Sequence, residues 1–317
     1  MEAYLVTGGA GFIGSNIVEE LLSRGEAVRV LDNFSGGKRE NLDFVSDYPK
    51  GNYELIEGDI REPDTCRRAC RGMGYVLHQA ALRSVPLSIE QPLPNNEVNI
   101  TGTLNMLMAA KEAGVKRLVY ASSSSVYGDS ARLPQQETQT PSPISPYAVT
   151  KLAGEHYCRV FSQVYGLETC ALRYFNVFGP RQDPASQYAA IVPRFILSAL
   201  RGEPLEIHGD GQQSRDFTYV SNVVEANLIA ARAAKASGEA VNIACGEQHS
   251  VLDVAEAIAE IAGRKPEHHH TPPRPGDIRH SLADISKAGA LLGYKQRVTF
   301  IDGLRQTVSY FQSLKRP

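Results

Sequence analysis

The sequence predicts an α/β fold in which a doubly wound parallel sheet is joined to a smaller, interleaved C-terminal domain. Short apolar strands alternate with amphipathic helices through the first half of the chain, as they do in βαβ units. A glycine-rich turn follows the first strand, and the alternation breaks after residue 173, where prolines interrupt the pattern. We therefore assign residues 1–173 to a first domain and residues 174–317 mostly to a second.

The composition is that of an ordinary globular protein. Of the 317 residues, 42% are hydrophobic and 21% are charged, and the net charge is -2. This charge provides no basic surface for nucleic acid, and no apolar run is long enough to span a membrane. The N-terminus has no signal-peptide pattern, and the five cysteines lack the spacing of a zinc site. We therefore expect a cytoplasmic protein without nucleic-acid, membrane or metal partners.

The first strand and its turn predict a Rossmann-like nucleotide site. The strand Ala3–Thr7 precedes a turn with G-x-x-G-x-x-G spacing and then a helical pattern. Glycines let the backbone turn sharply and approach a pyrophosphate, whose charge then lies at the N-terminus of the helix. The cofactor contacts that we predict in this turn are Gly8, Gly11, Phe12, Ile13 and Gly14.

The ends of the next predicted strands add further cofactor contacts. Asp32 ends the strand Ala27–Leu31, where a carboxylate can accept hydrogen bonds from both adenosine ribose hydroxyls and would repel a 2'-phosphate. We therefore predict NAD rather than NADP. The other contacts are Asn33 beside Asp32, Asp59 and Ile60 at the adenine end, and Gln79, Ala80 and Ala81 in a small-residue turn after Tyr75–His78.

A serine run and a Tyr-x-x-x-Lys pair predict the chemistry. The strand Arg117–Ala121 ends in Ser122–Ser125, and ligands bind at the carboxyl ends of parallel strands. Tyr147 and Lys151 would share one face of a helix. An ammonium beside the phenol would lower the pKa of Tyr147 towards neutrality and make it a general base. The pair alone is a weak signal, because so short a motif also arises by chance.

The rest of the chain predicts a less regular second domain. We expect a helix over 191–201, a strand at Ala240–Ile243 that returns to the sheet, and a helix near residue 252. Either Ser250 or Asp253 could cap that last helix. The run His268–His270 is expected to be a solvated loop, because three consecutive histidines on regular structure cannot all face one metal ion.

Taken together, the motifs resemble those of the extended short-chain dehydrogenase/reductase superfamily. The motifs are Thr7–Gly14, the serine run before Val126–Gly128, and Ser145–Lys151. Three further segments resemble the UDP-hexose 4-epimerases, with the greatest similarity to bacterial UDP-N-acetylglucosamine 4-epimerases of polysaccharide pathways. They are Arg173–Pro184, Gly209–Phe217 and Arg274–Asp284.

This resemblance implies a reversible oxidation at C4 of a UDP-sugar. Tyr147 would take the O4 proton through the hydroxyl of Ser123, with Lys151 as electrostatic partner and ribose ligand. NAD would take the hydride and return it to the other face of a 4-keto sugar, so it stays bound through each turnover. Many relatives have Ala-Thr at Ser124–Ser125, so a neighbouring serine could share the relay.

The resemblance also assigns binding residues by position. The cofactor contacts it implies are Arg83, Asn99, Tyr147, Lys151 and Tyr174. The substrate contacts it implies are Ser84, Ser123, Ser124, Tyr147, Asn176, Gln182, Arg215, Arg274, Asp277 and Ser281. Among these, Asn176, Arg215 and Arg274 match diphosphate ligands. Ser281 matches a pocket-wall position that is tyrosine in epimerases restricted to sugars without an acetamido group.

The function expected from these residues is the interconversion of UDP-N-acetylglucosamine and UDP-N-acetylgalactosamine, with UDP-glucose and UDP-galactose as a further pair. A UDP-glucuronate 4-epimerase is the alternative, since Arg279 could meet a carboxylate. A non-catalytic nucleotide sensor on the same fold would have lost Tyr147 or Lys151, and both are present. The resemblance further implies a homodimer formed by the helix at 99–113 and the helix of Tyr147.

Overall fold

The elements of the fold are known for most of the chain. A computed structural model describes residues 2–184, 190–273 and 278–314. The strands are β1 (Ala3–Thr7), β2 (Ala27–Asp32), β3 (Tyr53–Glu57), β4 (Tyr75–His78), β5 (Arg117–Ser123), β6 (Glu168–Tyr174), β7 (Val177–Phe178), β8 (Leu205–His208), β9 (Ser214–Arg215), β10 (Thr218–Tyr219), β11 (Glu239–Ile243), β12 (His249–Ser250) and β13 (His268–Thr271). The α-helices are α1 (Phe12–Ser23), α2 (Pro63–Cys70), α3 (Val85–Glu90), α4 (Pro92–Asn96), α5 (Thr103–Glu112), α6 (Pro146–Val164), α7 (Ile191–Arg201), α8 (Val220–Arg232), α9 (Val251–Ile261), α10 (Ser286–Leu292) and α11 (Phe300–Ser313). Two 3-10 segments, Arg39–Asp47 and Ser124–Tyr127, and one π segment, Glu97–Gly102, complete the set.

Seven strands form one parallel sheet in the order β11-β6-β5-β4-β1-β2-β3. The chain runs outward from β1 to β3 on one side and from β4 to β6 on the other. The order therefore reverses between β1 and β4, which is where open α/β sheets bind ligands. The predicted α/β fold is confirmed.

Both faces of this sheet are buried under helices. Successive side chains of a strand point to opposite faces, and the two buried clusters follow that alternation. Leu5 and Val76 belong to the cluster that contains α2 and α5, whereas Val6 and Leu77 belong to the cluster that contains α1 and α8. Because neither face meets water, the strands are nearly continuous apolar runs.

The chain returns to this sheet after it has left it. β11 pairs in parallel with β6, and Ile243 lies opposite Tyr174. It is the returning strand that the sequence predicts at 240–243. The other strands after residue 174 form three two-stranded sheets, β7 with β10, β8 with β13, and β9 with β12. The helix predicted over 191–201 is α7.

Several local predictions need correction or completion. The run His268–His270 was expected to be a loop, but it lies in β13 and pairs with β8. The sequence feature that indicates this strand lies in its partner β8, where Leu205 and Ile207 alternate with polar residues and are buried. The histidine run itself has no apolar pattern. The predicted helix at 99–113 begins two residues early, as the π segment Glu97–Gly102, and continues as α5. Ser250 and Asp253 cap α9 together as a capping box.

No group of three or more His, Cys, Asp or Glu residues within 2–184, 190–273 and 278–314 is arranged to hold a metal ion. In the same part of the chain, no helix combines the length and the apolar character that crossing a bilayer requires.

Candidate active site

The turn after β1 is packed too closely for side chains at two glycines. Gly8 has a φ of 66°, and a Cβ there would lie 2.8 Å from the backbone of Ala80. A Cβ at Gly14 would lie 2.1 Å from the carbonyl oxygen of Gly8. Gly11 precedes α1, so no side chain covers the start of that helix. A helix N-terminus attracts negative charge, and this turn therefore fits the pyrophosphate of a dinucleotide.

Asp32 ends β2 beside this turn. Its carboxylate accepts hydrogen bonds from the backbone N–H groups of Ala10 at 2.9 Å and Phe34 at 2.8 Å. Burial raises the pKa of Asp32, and these two bonds oppose the rise. The carboxylate is thus held by backbone at the strand end where a ribose would bind, as the NAD prediction requires.

Asp59 is more strongly paired than the sequence suggests. Its carboxylate accepts hydrogen bonds from Asn33 Nδ2 at 2.8 Å and from Arg61 Nη2 at 2.8 Å. The Arg61 hydrogen bond is the main cause that lowers the pKa of Asp59 to about 2. Arg61 is not among the residues predicted from the sequence. Its position two residues beyond the strand-end carboxylate is the signal that could have done so.

A buried polar cluster joins three elements at the middle of the sheet. The Tyr174 hydroxyl accepts a hydrogen bond from Asn227 Nδ2 at 2.8 Å and lies 3.2 Å from Gln79 Oε1. Gln79 in turn donates to Asn227 Oδ1 at 3.0 Å. Burial raises the pKa of Tyr174 well above the ordinary tyrosine range, so its phenol stays neutral. Two predicted cofactor contacts therefore meet, and Asn227 on α8 is a third member that sequence reasoning misses.

The proposed proton-transfer residues come together between β5 and α6. Ser123 ends β5, and Ser145 caps the N-terminus of α6 with its side chain. The side chain of Ser123 interacts with the phenol of Tyr147 and acts to lower its pKa. The Lys151 ammonium lies 5.8 Å from the centroid of the Tyr147 ring and donates to the carbonyl of Ala121 at 2.7 Å.

The pKa of Tyr147 moves in the direction opposite to that expected from the sequence. Burial raises it, and this effect exceeds the lowering by the Ser123 hydrogen bond and by the charge of Arg83. Lys151 is itself buried, which lowers its own pKa to about 7. The expectation that Lys151 lowers the pKa of the phenol is wrong for this arrangement. The cation that acts on the phenol is Arg83, which the resemblance assigns only to the cofactor.

The serines of the run differ in their surroundings. Ser122 donates to Glu155 Oε1 at 2.5 Å and so faces the core. Ser123 Oγ accepts the backbone N–H of Ser125 at 3.1 Å, which fixes its side chain at the strand end. Ser124 begins the 3-10 segment and is partly exposed. Of these hydroxyls, that of Ser123 affects the pKa of Tyr147.

Asn99 fixes the loop that contains Arg83 and Ser84. Its amide accepts from the backbone N–H of Leu82 at 2.8 Å and donates to the carbonyl of the same residue at 2.9 Å. It also donates to Thr150 Oγ1 at 3.1 Å on α6. Arg83 is exposed, and Ser84 caps α3. Asn99 therefore holds this loop against the helix of Tyr147.

Three of the predicted substrate contacts lie together on the C-terminal side. Asn176 Nδ2 donates to the carbonyl of Asp216 at 3.1 Å and to Ser281 Oγ at 3.3 Å. Arg215 lies in β9, and its guanidinium donates to the carbonyls of Ser214 at 2.8 Å and Arg279 at 3.1 Å. Since Ser281 donates its N–H to Ser214, these residues form one continuous wall.

Of the other predicted substrate contacts on the C-terminal side, the structure describes Gln182 but not Arg274 or Asp277. Gln182 is buried after β7 and donates to the carbonyl of Val177 at 3.1 Å. Its Oε1 is buried and has no hydrogen-bond partner among the described residues. A buried acceptor left unpaired is costly, so this atom is suited to a donor from a ligand. Arg274 and Asp277 lie outside the described residues, and their roles stay predictions.

Comparisons with known proteins agree with this geometry. The model of the NAD dependent epimerase/dehydratase family matches residues 4–244. A UDP-glucose 4-epimerase of Mycolicibacterium smegmatis is 37% identical over 311 residues, which cover 98% of this chain and 98% of the relative.

Two solved structures that are similar to this chain contain other UDP-sugars. A UDP-N-acetylglucosamine 4-epimerase from Methanobrevibacter ruminantium M1, in complex with UDP-N-acetylmuramic acid, is 40% identical with a TM-score of 0.93 and covers 99% of each chain. A UDP-glucuronic acid 4-epimerase from Bacillus cereus, in complex with a fluorinated UDP-glucuronic acid and NAD, is 34% identical with a TM-score of 0.90. That match covers 98% of this chain and 99% of the other.

The close packing of the glycine turn leads to a test of cofactor binding. A Gly14→Ala variant should retain at least tenfold less NAD after purification, because its Cβ would lie 2.1 Å from the Gly8 carbonyl oxygen and force the turn open. The measurement is NAD released from heat-denatured protein. Gly36→Ala is the matched control, since nothing lies within 4 Å of a Cβ there. Full NAD content in the Gly14 variant would contradict this account of the turn.

Proposed function

Because the chain belongs to the NAD dependent epimerase/dehydratase family and is a UDP-sugar epimerase with NAD as its cofactor, we propose that it interconverts UDP-N-acetylglucosamine and UDP-N-acetylgalactosamine. UDP-glucose and UDP-galactose are proposed as a second pair of substrates. The proposed contacts for the diphosphate are Asn176 and Arg215, because a guanidinium can bind phosphate oxygens in a bidentate way.

The observation that supports an acetylated sugar is the side chain at position 281. Ser281 is 5% exposed, and its hydroxyl accepts a hydrogen bond from Asn176. It therefore belongs to the wall formed by the proposed substrate contacts. A serine in that wall leaves the volume that a tyrosine ring would fill, and this volume suits a 2-acetamido group.

In the proposed reaction, the proton and the hydride leave the sugar by separate routes. When bound, NAD supplies the acceptor and then the donor of the C4 hydride. The proton of the sugar O4 passes through the Ser123 hydroxyl to the phenol of Tyr147, with which the Ser123 side chain interacts. Arg83 favours the phenolate by its charge and opposes the effect of burial. Lys151 is the proposed ligand of the cofactor ribose.

The UDP-glucuronate alternative has less support. Its proposed carboxylate partner, Arg279, has a side chain that is 71% exposed and lies 3.6 Å from the carboxylate of Asp210. That guanidinium is therefore already near a negative charge at the surface. The similarity to the Bacillus cereus enzyme keeps this substrate as an outcome of the assay below.

We also propose a homodimer formed by α5 and α6. Large apolar side chains are exposed on both helices, including Met108 on α5 at 40% and Val160 and Val164 on α6 at 42% and 67%. An exposed apolar face of this kind marks a protein interface.

The proposed base predicts the effect of one substitution. Purified Tyr147→Phe protein should lose turnover by at least a hundredfold, because the general base is removed, yet retain its NAD. The assay is proton NMR of UDP-N-acetylglucosamine without added cofactor, in which wild-type protein produces a second anomeric signal. Tyr165→Phe, at the exposed end of α6, is the control and should be unaffected. Turnover by the Tyr147 variant would exclude this base. Wild-type turnover of UDP-glucuronate alone would establish the alternative substrate.

The volume argument predicts a change of specificity. Ser281→Tyr should lower kcat/KM for UDP-N-acetylglucosamine at least tenfold more than kcat/KM for UDP-glucose, because the ring fills the acetamido volume. Ser281→Ala removes the hydrogen bond from Asn176 but adds no volume, so it should preserve the ratio. An equal loss on both sugars in the tyrosine variant would count against the proposed pocket.

The proposed interface predicts the mass in solution. Light scattering on a size-exclusion column should give wild-type protein twice the chain mass of 34.6 kDa. Val164→Glu should give the monomer, because a dimer of this variant would bury two unpaired carboxylates, one from each protomer. Ile301→Glu, on α11, should remain dimeric. A monomeric wild-type protein would refute the proposal.

A further inference from the structure

Asp216 is a fully buried carboxylate that is held by backbone. Its exposure is 0%, and its Oδ1 accepts the N–H of Cys245 at 2.9 Å. Its Oδ2 accepts the N–H groups of Gly246 at 2.9 Å and Ala283 at 3.3 Å. Both oxygens are therefore engaged. The proposed proton transfer does not use this residue.

These hydrogen bonds join the segments of the proposed substrate wall. Asp216 follows Arg215 directly, and its own carbonyl accepts from Asn176. Ala283 lies two residues beyond Ser281, while the other two amides belong to the turn after β11. The carboxylate thus joins the segment of Arg215 to that of Ser281 and to the turn after β11, while the backbone carbonyl of the same residue holds Asn176.

We propose that Asp216 is a positioning residue for the UDP-sugar, and that its charged carboxylate holds the substrate wall in the arrangement that binds. The inference rests on the proposed function. It adds that substrate affinity, but not NAD binding, depends on the charge of this one side chain.

Protonation would break the arrangement, because an oxygen that gains a proton becomes a donor and faces an N–H group. Burial raises the pKa of Asp216 to about 6, although the three amides lower it. The carboxylate of Glu247 raises it further. Burial raises the pKa of the nearby Cys245 thiol to about 12, and it also raises the pKa of the Tyr294 phenol, so both stay neutral.

The sign of the pH dependence follows from this raised pKa. The carboxylate is charged at pH 7.5 and becomes protonated as the pH falls through 6, so affinity is present above pH 6 and is lost below it. The folding contribution of the same group runs the other way. Its pKa is higher in the folded protein than in the unfolded chain, so it favours folding more at pH 5 than at pH 7. A loss of affinity at pH 5 is therefore not unfolding caused by Asp216.

The test measures binding of UDP-N-acetylglucosamine to NAD-loaded protein by calorimetry between pH 7.5 and pH 5. The diphosphate of this probe is esterified at both ends, so it lacks the ionisation near pH 6 that a terminal phosphate has. All arms carry Tyr147→Phe, so that no turnover occurs. A single group with a pKa near 6 predicts that Kd rises about tenfold by pH 5.

Two variants decide the assignment. With Asp216→Asn, Kd should already be at least tenfold higher at pH 7.5 and should change little down to pH 5, with NAD content unchanged, because a carboxamide cannot accept at both ends. His280→Gln, whose Nδ1 lies 2.6 Å from Ser214 Oγ, is the matched control and should keep the full pH dependence.

The outcomes separate the two proposals. A Kd that is flat from pH 7.5 to pH 5 in the parent protein overturns the role of Asp216, even if the asparagine variant fails to fold. The role is also overturned if the asparagine variant binds as tightly as its parent at pH 7.5, or if His280→Gln removes the pH dependence. No binding of the probe at any pH, by protein that melts cooperatively and contains NAD, overturns the proposed function itself.

Discussion

The buried ion pair between Arg173 and Glu155 is the interaction on which the arrangement of the site depends. Arg173 on β6 donates from Nε at 2.8 Å and from Nη2 at 2.7 Å to the two carboxylate oxygens of Glu155 on α6. A buried charge is stable only with its partner and its remaining hydrogen bonds. Ser122 on β5 supplies one of those bonds. The ion pair and this bond therefore join β5, β6 and α6 close to the proton-transfer residues. Glu155 lies one helical turn after Lys151, and Ser122 directly precedes Ser123.

The same network extends to the substrate side. Arg173 donates from Nη1 to the Tyr127 hydroxyl at 2.8 Å, and that hydroxyl donates to Asn242 Oδ1 at 2.7 Å on β11. Asn242 then donates to the carbonyls of Gln135 at 2.9 Å and Asp284 at 3.2 Å. The helix of the proton-transfer residues and the segment just beyond the substrate wall are thus connected through consecutive buried hydrogen bonds. A strand that returns to the sheet late in the chain makes that connection possible.

Local patterns of the sequence predict most of the sheet, because apolar strands, glycine turns and a four-residue spacing are properties of neighbouring residues. What they do not predict depends on long-range contacts. Asn227 meets Gln79 across 148 positions, and no local pattern reports that pair. The strand at His268–His270 exists because of the buried residues of β8. The direction of the Tyr147 pKa is set by the balance of burial against neighbouring charges, which spacing alone does not contain.

Burial also explains why the titratable groups of this region have unusual pKa values. It lowers the pKa of Lys151 to about 7 and raises that of Asp216 to about 6. Removal from water disfavours the charged form of each group, so the two pKa values move towards 7 from opposite sides. In the same way it raises the pKa of Tyr147, so a phenolate there needs positive charge nearby. The lysine cannot supply that charge fully near pH 7, since its own ammonium is destabilised by the same burial. The guanidinium of Arg83 is exposed, so it supplies positive charge to the phenol without the removal from water that opposes Lys151.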